Sequence, residues 1–422
     1  MEDRIKNIFG RQIFDSRGTP TVEATVILES GVAATAAVPS GASTGQHEAC
    51  ELRDGGDDYM GKGVLCAADN VSSVLSKVLK GESIFDQAEI DAAMCDADGS
   101  ENKSKIGANA ILAVSLACAR AASFSADIPL YEYIGGINSR TLPVPMMNIL
   151  NGGAHAGNNI DIQEFMIVPT GASSFEDAMR MGVEVYHTLK KILSEKGHST
   201  AVGDEGGFAP NLANDEQALE LLTEAIEKSG CKPGSDINIA LDMASSEWVS
   251  ENGYLLPKRN MYFTRDELID YVCELKAKYP IVSIEDPLGE NDFNGFAELT
   301  PRAGIQIVGD DLFVTNPKRL QKGISAGAAN AILIKPNQIG TLSETMTAIR
   351  LAQSKGYKTI ISHRSGETAD TFIADLAVAM NAGQIKTGAP ARSERVSKYN
   401  RLLQIEIALG DRAHYPGIEI FK

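Results

Sequence analysis

The chain is short of positive charge. It carries 39 Lys and Arg against 56 Asp and Glu, a formal net charge of -17 over 422 residues. General nucleic-acid binding needs a basic footprint, so no nucleic-acid partner is expected. Uninterrupted apolar runs are too short to span a bilayer. The opening MEDRIKNIFG mixes both signs of charge and holds no apolar signal-peptide core. None of the six cysteines, Cys50, Cys66, Cys95, Cys118, Cys231 and Cys273, forms a Cys-x-x-Cys pair. That removes the commonest dithiol and zinc motifs and leaves free buried thiols as the expectation. A soluble, cytoplasmic protein without disulfides is expected. One phosphate-loop near-match also fails. Gly56 to Gly63, GDDYMGKG, ends on glycine where the motif needs a hydroxyl for Mg²⁺, and no strand signal precedes it.

What is present is an ordinary globular composition, 43% hydrophobic, in a chain long enough for one large domain and a smaller one. The acidic balance imposes a condition: an anionic substrate would require a local positive cluster or a bound metal. Residues 5–38 read as strands, with Thr21 to Val26 alternating and Gly18 and Gly31 as punctuation. Asn109 to Ser123, NAILAVSLACARAAS, spaces its apolar residues as a helix. The pattern changes near Leu130 to Arg140, which places a domain boundary there. Beyond it strand and helix alternate. Thr264 and Glu267 form a capping box at a helix start, and Asn252-Gly253 marks a hairpin.

Short apolar runs in this second part end on charge. INIALD ends at Asp242, IVSIED reaches Glu285, IQIVGDD reaches Asp310 and AILIK ends at Lys335. KTIISHRS reaches His363 and Arg364, and GQIK ends at Lys386. From Glu285 onward the ends fall 23 to 28 residues apart, close to the roughly 30 of a β/α barrel unit. Barrel strands converge at their C-terminal ends, where active sites lie. Three carboxylates on separate strand ends, Asp242, Glu285 and Asp310, suit Mg²⁺, which prefers hard oxygen ligands; three unrelated surface acids are the alternative. Lys335, buried beside cations, is expected to have a lowered pKa and to act as a base; the alternative is a structural lysine paired with those acids. Arg364, Ser365, Lys386 and His155, the last in NGGAHAGNN, add donors for phosphate or carboxylate. Glu205 lies between glycines in VGDEGGFAP, and Glu164 follows Gln163 in QEF. Two facing carboxyls share protons, which would keep one neutral as a general acid.

Long segments carry a resemblance to one family. They include GRQIFDSRGTPTVEATV, VPSGASTG, ENKSKIGANAILAVSLA, NGGAHAGN, QEFMIVPTG, GDEGGFAPNL, SIEDP, GDDLFVTN, LIKPNQIG, SHRSGET and IKTGAPARSER. In these the chain resembles enolase, the phosphopyruvate hydratase family, nearly end to end. The resemblance implies an α/β fold, with an N-terminal α+β capping domain over 1–135 and an atypical, TIM-like α/β barrel over 136–422. It implies reversible dehydration of 2-phosphoglycerate to phosphoenolpyruvate. Asp242, Glu285 and Asp310 would hold one Mg²⁺, and Ser43 of the SGASTG loop would help hold a second that arrives with substrate. Lys335 would take the C2 proton and Glu205 would protonate the leaving C3 hydroxyl. Glu164, His155 and Gln163 would line the substrate pocket. Arg364 and Ser365 would hold phosphate, Lys386 would sit near the substrate carboxylate, and His363 would be a neighbour. A Lys or His base with Mg²⁺ is the family's established pairing. Two Mg²⁺ would outweigh the charge of three carboxylates and stabilise the carbanion's charge. The family also implies a homodimer or homo-octamer, and some members occur at the cell surface. Two rivals remain: another enzyme of the superfamily, and an enolase-like scaffold with a surface-binding role in place of, or besides, catalysis.

Overall fold

The computed structural model describes residues 3–41 and 45–422. The chain opens with an antiparallel sheet of β1 (Ile5–Phe14), β2 (Pro20–Leu28) and β3 (Ala33–Ala37). The alternation in β2 has its expected consequence: Val22, Ala24, Val26 and Leu28 are fully buried. They face the helix Ala108–Ala126, which packs across β2 and β3. That helix is long and apolar enough to cross a membrane by length and composition alone, yet 83% of the stretch is buried inside the protein. Its apolarity is that of a core helix. The near-phosphate-loop segment holds only the short turn Asp58–Gly61, with no strand before it after β3. The cysteines are free as expected, but only Cys118 is buried; Cys66 is exposed and the other four are half-buried.

The second part contributes β4 (Val144–Asn151), β5 (Glu164–Val168), β6 (Asn238–Asp242), β10 (Ile281–Glu285), β11 (Gln306–Gly309), β12 (Ala331–Ile334), β13 (Lys358–Ser362) and β14 (Gly383–Lys386). These eight strands close a barrel, in the spatial order β10-β11-β12-β13-β14-β4-β5-β6. Between β6 and β10 a small antiparallel sheet of β7 (Val249–Ser250), β8 (Gly253–Leu256) and β9 (Met261–Phe263) is inserted. It is followed by the helix Arg265–Lys278, whose capping box forms as expected. The barrel departs from an all-parallel one at a single strand. β5 runs antiparallel to both β4 and β6. The physical reason is the connection: residues 152–163 form a loop with no crossover helix, and a parallel neighbour needs such a crossover. One apolar cluster runs through both parts of the molecule, and polar contacts cross between them beside it. Arg120 of the long core helix donates to both oxygens of Asp370, at 2.9 and 2.8 Å, and Asp370 also accepts from Ala37 N at 3.0 Å.

Candidate active site

Strand register assembles the site. Glu285 ends β10 directly opposite Asp242, which ends β6. Glu164 opens β5, and because β5 is reversed it too pairs with Asp242. Thus a residue at a strand start joins residues at strand ends. Lys386 ends β14 beside Ser362 of β13. Its ammonium lies 2.9 Å from Asp242 Oδ2, 2.9 and 3.0 Å from the two oxygens of Glu285, and 3.2 Å from Glu164 Oε2. Gln163 donates to the same Asp242 oxygen at 3.3 Å. One strand over, Lys335 pairs with Asp310 Oδ2, while Asp310 Oδ1 accepts from Gln338 at 2.9 Å.

Glu205 is placed by its glycines. Gly206 takes φ 88, a left-handed turn, and a Cβ on Gly207 would come within 2.5 Å of Asn151 Oδ1. Glu205 Oε2 accepts from Asn148 at 3.0 Å and faces His363 Nε2 at 3.3 Å. Arg395 donates to His363 Nδ1 at 2.7 Å. A guanidinium can only donate, so Nδ1 accepts and the ring proton sits on Nε2, toward Glu205. His155 Nδ1 lies between the carboxyl pair, 3.5 Å from Glu164 and 3.6 Å from Glu205. Its Nε2 is 3.2 Å from Ser365 Oγ. Arg364 reaches Glu48 of the N-terminal part at 3.0 Å and Asn337 at 3.0 Å. Every expected site residue from His155 to Lys386 is buried or lines this cleft. Ser43 lies outside the described residues.

Burial and charge set the protonation states. Burial raises Glu164 well above the usual carboxylate range, and the neighbouring Glu205 adds to it. Burial opposes ionisation of Glu205 as well, but His363, whose Nε2–H faces it, and His155 outweigh burial with help from the Arg395 guanidinium and hold this carboxyl low. The pair therefore splits as facing carboxyls should, with Glu164 held high and Glu205 held low. Both histidines are driven toward the neutral form by burial, His363 down to about 4. Lys335 differs from expectation. Burial lowers its amine, but the Asp310 carboxylate outweighs burial and the pKa is raised. The alternative weighed for Lys335, an ion pair with the acids, is the arrangement of the free protein.

Several contributors carry no local sequence signal. Glu48, Asn148, Gln338 and Arg395 reach the site only through tertiary placement. Asp286 and Asp311 stood in view within SIED and GDD. Asp286 accepts from the backbone of Asp310 and Asp311 at 3.0 and 2.7 Å, fixing the turn that presents Asp310. Ligand atoms of His155, Glu164 and Glu205 lie within 4.8 Å of one another, as do those of Asp286, Asp310 and Asp311. Asp242 and Glu285 converge on the Lys386 ammonium instead. The donor set fits a hard divalent cation: buried carboxylate oxygens already gathered around positive charge.

Comparison with known families matches residues 5–134 to the enolase N-terminal domain and residues 139–422 to the enolase C-terminal TIM barrel domain. The chain belongs to the enolase family. Its closed eight-stranded barrel and its small N-terminal sheet agree with those two domains, and the family points to a lyase.

Proposed function

We propose that this enolase-family protein catalyses the reversible, Mg²⁺-dependent dehydration of 2-phospho-D-glycerate to phosphoenolpyruvate and water. The observation that carries the proposal is one buried cleft lined by a lysine amine, a split carboxyl pair, strand-end carboxylates and the Arg364-Ser365 pair. Lys335 takes the proton from C2. Glu205 delivers a proton to the departing C3 hydroxyl, because hydroxide alone is a poor leaving group. Glu205, held low in the free protein, needs a proton when substrate binds, and Glu164, held high beside it, is the neighbour that can supply one. His155, between the two carboxyls, lines that route with Gln163 nearby. Arg364 and Ser365 hold phosphate, Lys386 meets the substrate carboxylate, and His363 orients Glu205.

Asp242, Glu285 and Asp310 would hold the first Mg²⁺ and Ser43 a second, and the ions would supply positive charge against the carbanion that forms beside a carboxylate. Asp310 is also the carboxylate paired with Lys335, so a cation held there would compete with the amine for the same charge and would favour the neutral Lys335 that a base requires. A cytoplasmic setting and a homodimer or homo-octamer belong to the same proposal. The test mixes purified protein with 2-phosphoglycerate and follows the ultraviolet absorbance of phosphoenolpyruvate, with Mg²⁺ and then with excess chelator. An absorbance rise that stops on chelation is expected; no rise from folded protein would overturn the assignment.

A further inference from the structure

The loop that carries His155 is held from outside the site. Lys258 stands in the turn between β8 and β9, on the inserted sheet. Its ammonium donates to the carbonyl oxygens of Gly153 at 3.2 Å, Ala156 at 3.2 Å and Asn158 at 2.7 Å. An ammonium offers three N–H donors and no acceptor, and here three carbonyls of one short loop receive them. The anchoring continues along the chain. Lys258 N donates to Asp161 Oδ1 at 2.7 Å, and Arg259 bridges Asp161 at 2.9 Å and Asp215 at 2.5 Å. Asp215 in turn accepts from Asp161 N at 3.0 Å and Ile162 N at 3.2 Å. Arg259 thus secures the entry to β5, while the Lys258 ammonium secures the loop ahead of it.

Two observations make this clamp matter to the site. His155 Nδ1 makes no hydrogen bond among the described residues and stands 3.5 and 3.6 Å from Glu164 and Glu205, so the one side-chain hydrogen bond on the ring is the contact to Ser365 and its backbone largely sets its place. Behind the loop lies a cavity of about 200 Å³, lined by Gly153, Ala154, Gln163, Trp248 and Lys258. On that side the loop is not backed by packed side chains and the Lys258 ammonium spans the gap, while Asn158 ties the loop's far end to Asn151 O at 2.8 Å and Pro210 O at 3.0 Å. Gln163 and Ala244 line both this cavity and the active cleft. Lys258 itself is exposed, so its side chain can be changed without opening the core.

We propose that Lys258 is a positioning residue, a tethered cation that holds the loop 153–158 so that His155 stands between Glu164 and Glu205. Its effect on turnover rests on the function proposed above; the clamp itself does not. The test uses the full chain and the variants Lys258→Met, which keeps the stem and loses the cation, and Lys258→Arg. In Lys258→Met, amide hydrogen exchange should quicken severalfold across 153–158 and stay unchanged in the barrel strands. The kcat for 2-phosphoglycerate should fall about tenfold or more, as misplacement of a site group does, with KM moving less. Lys258→Arg should recover part of the loss. Methylammonium, which supplies N–H donors, should also restore part of the activity of Lys258→Met, and tetramethylammonium, which has none, should not. Emission from Trp248, the one tryptophan of the chain, should shift in step with the exchange. Parental exchange in 153–158, or a kcat within twofold of the parent, would overturn the proposal. If the parent itself fails to convert 2-phosphoglycerate, the function above falls, and the exchange measurement alone decides the clamp.

Discussion

At the scale of single residues the free protein stores its charges in pairs. Lys335 and Asp310 neutralise each other, and Lys386 serves Asp242, Glu285 and Glu164 together. Taking a charge out of water is costly unless it is paired, so these contacts offset the cost of burying the charges of the cleft. In the proposed function they also tie metal binding to the base. If Asp310 is a ligand, Asp310→Asn removes one ligand charge and the partner of Lys335 in the same step. Mg²⁺ affinity measured by calorimetry should fall at least tenfold, which is about 1.4 kcal/mol. Unchanged affinity would remove Asp310 from the ligand set. The direction of the Lys335 shift was not legible in the sequence, because AILIK shows a charge after an apolar strand but not which carboxylate waits beside it.

At the scale of elements, the most legible feature was the apolar run that stops on charge. Burial on both faces writes barrel strands such as Ala331–Ile334 as near-continuous hydrophobic segments. Asp242, Glu285, Asp310, Lys335 and Lys386 could therefore be placed at strand ends from the sequence alone. The reversed β5 could not be read that way, since QEFMIV looks alike in either direction and its orientation follows from a connection with only the one short turn Gly153–His155 and no crossover helix. For the same reason Glu164 stands out in QEF, but nothing there marks it as a neighbour of Asp242. Local capping chemistry was readable because it lies within one turn. Thr264 N donates to Glu267 at 2.8 Å, and Thr264 Oγ1 accepts from Glu267 N at 3.3 Å. Thr264→Ala should cost about 1 kcal/mol of stability in urea unfolding and leave turnover unchanged. A loss of turnover would mean that the helix start does more than cap.

At the scale of the molecule, two parts make one site. Glu48 of the N-terminal part reaches Arg364 of the barrel, and the Arg120–Asp370 pair closes the seam farther out. Burial alone would raise the Asp370 carboxyl, but Arg120 outweighs it and holds the pKa below the ordinary value. A depressed carboxylate stabilises the fold above its unfolded pKa of about 3.9, and that contribution fades as pH falls through the lower folded value. Asp370→Asn should therefore lose about 3 kcal/mol at neutral pH and show a shallower decline below about pH 4 than the parent; parallel pH curves from denaturant titrations would contradict the pairing. The whole is acidic, net -17, and Lys335, Arg364 and Lys386 in the cleft are each already paired with a carboxylate, so an anionic substrate would need further positive charge there. The central claim is that the assembled cleft removes a proton with Lys335 before it expels hydroxide with Glu205. The most direct measurement is incorporation of solvent deuterium at C2 of 2-phosphoglycerate, followed by NMR with Mg²⁺ present. The parent should exchange and form product, Glu205→Gln should exchange without forming product, and Lys335→Ala should do neither while remaining folded. Exchange at the parental rate in Lys335→Ala would contradict the account.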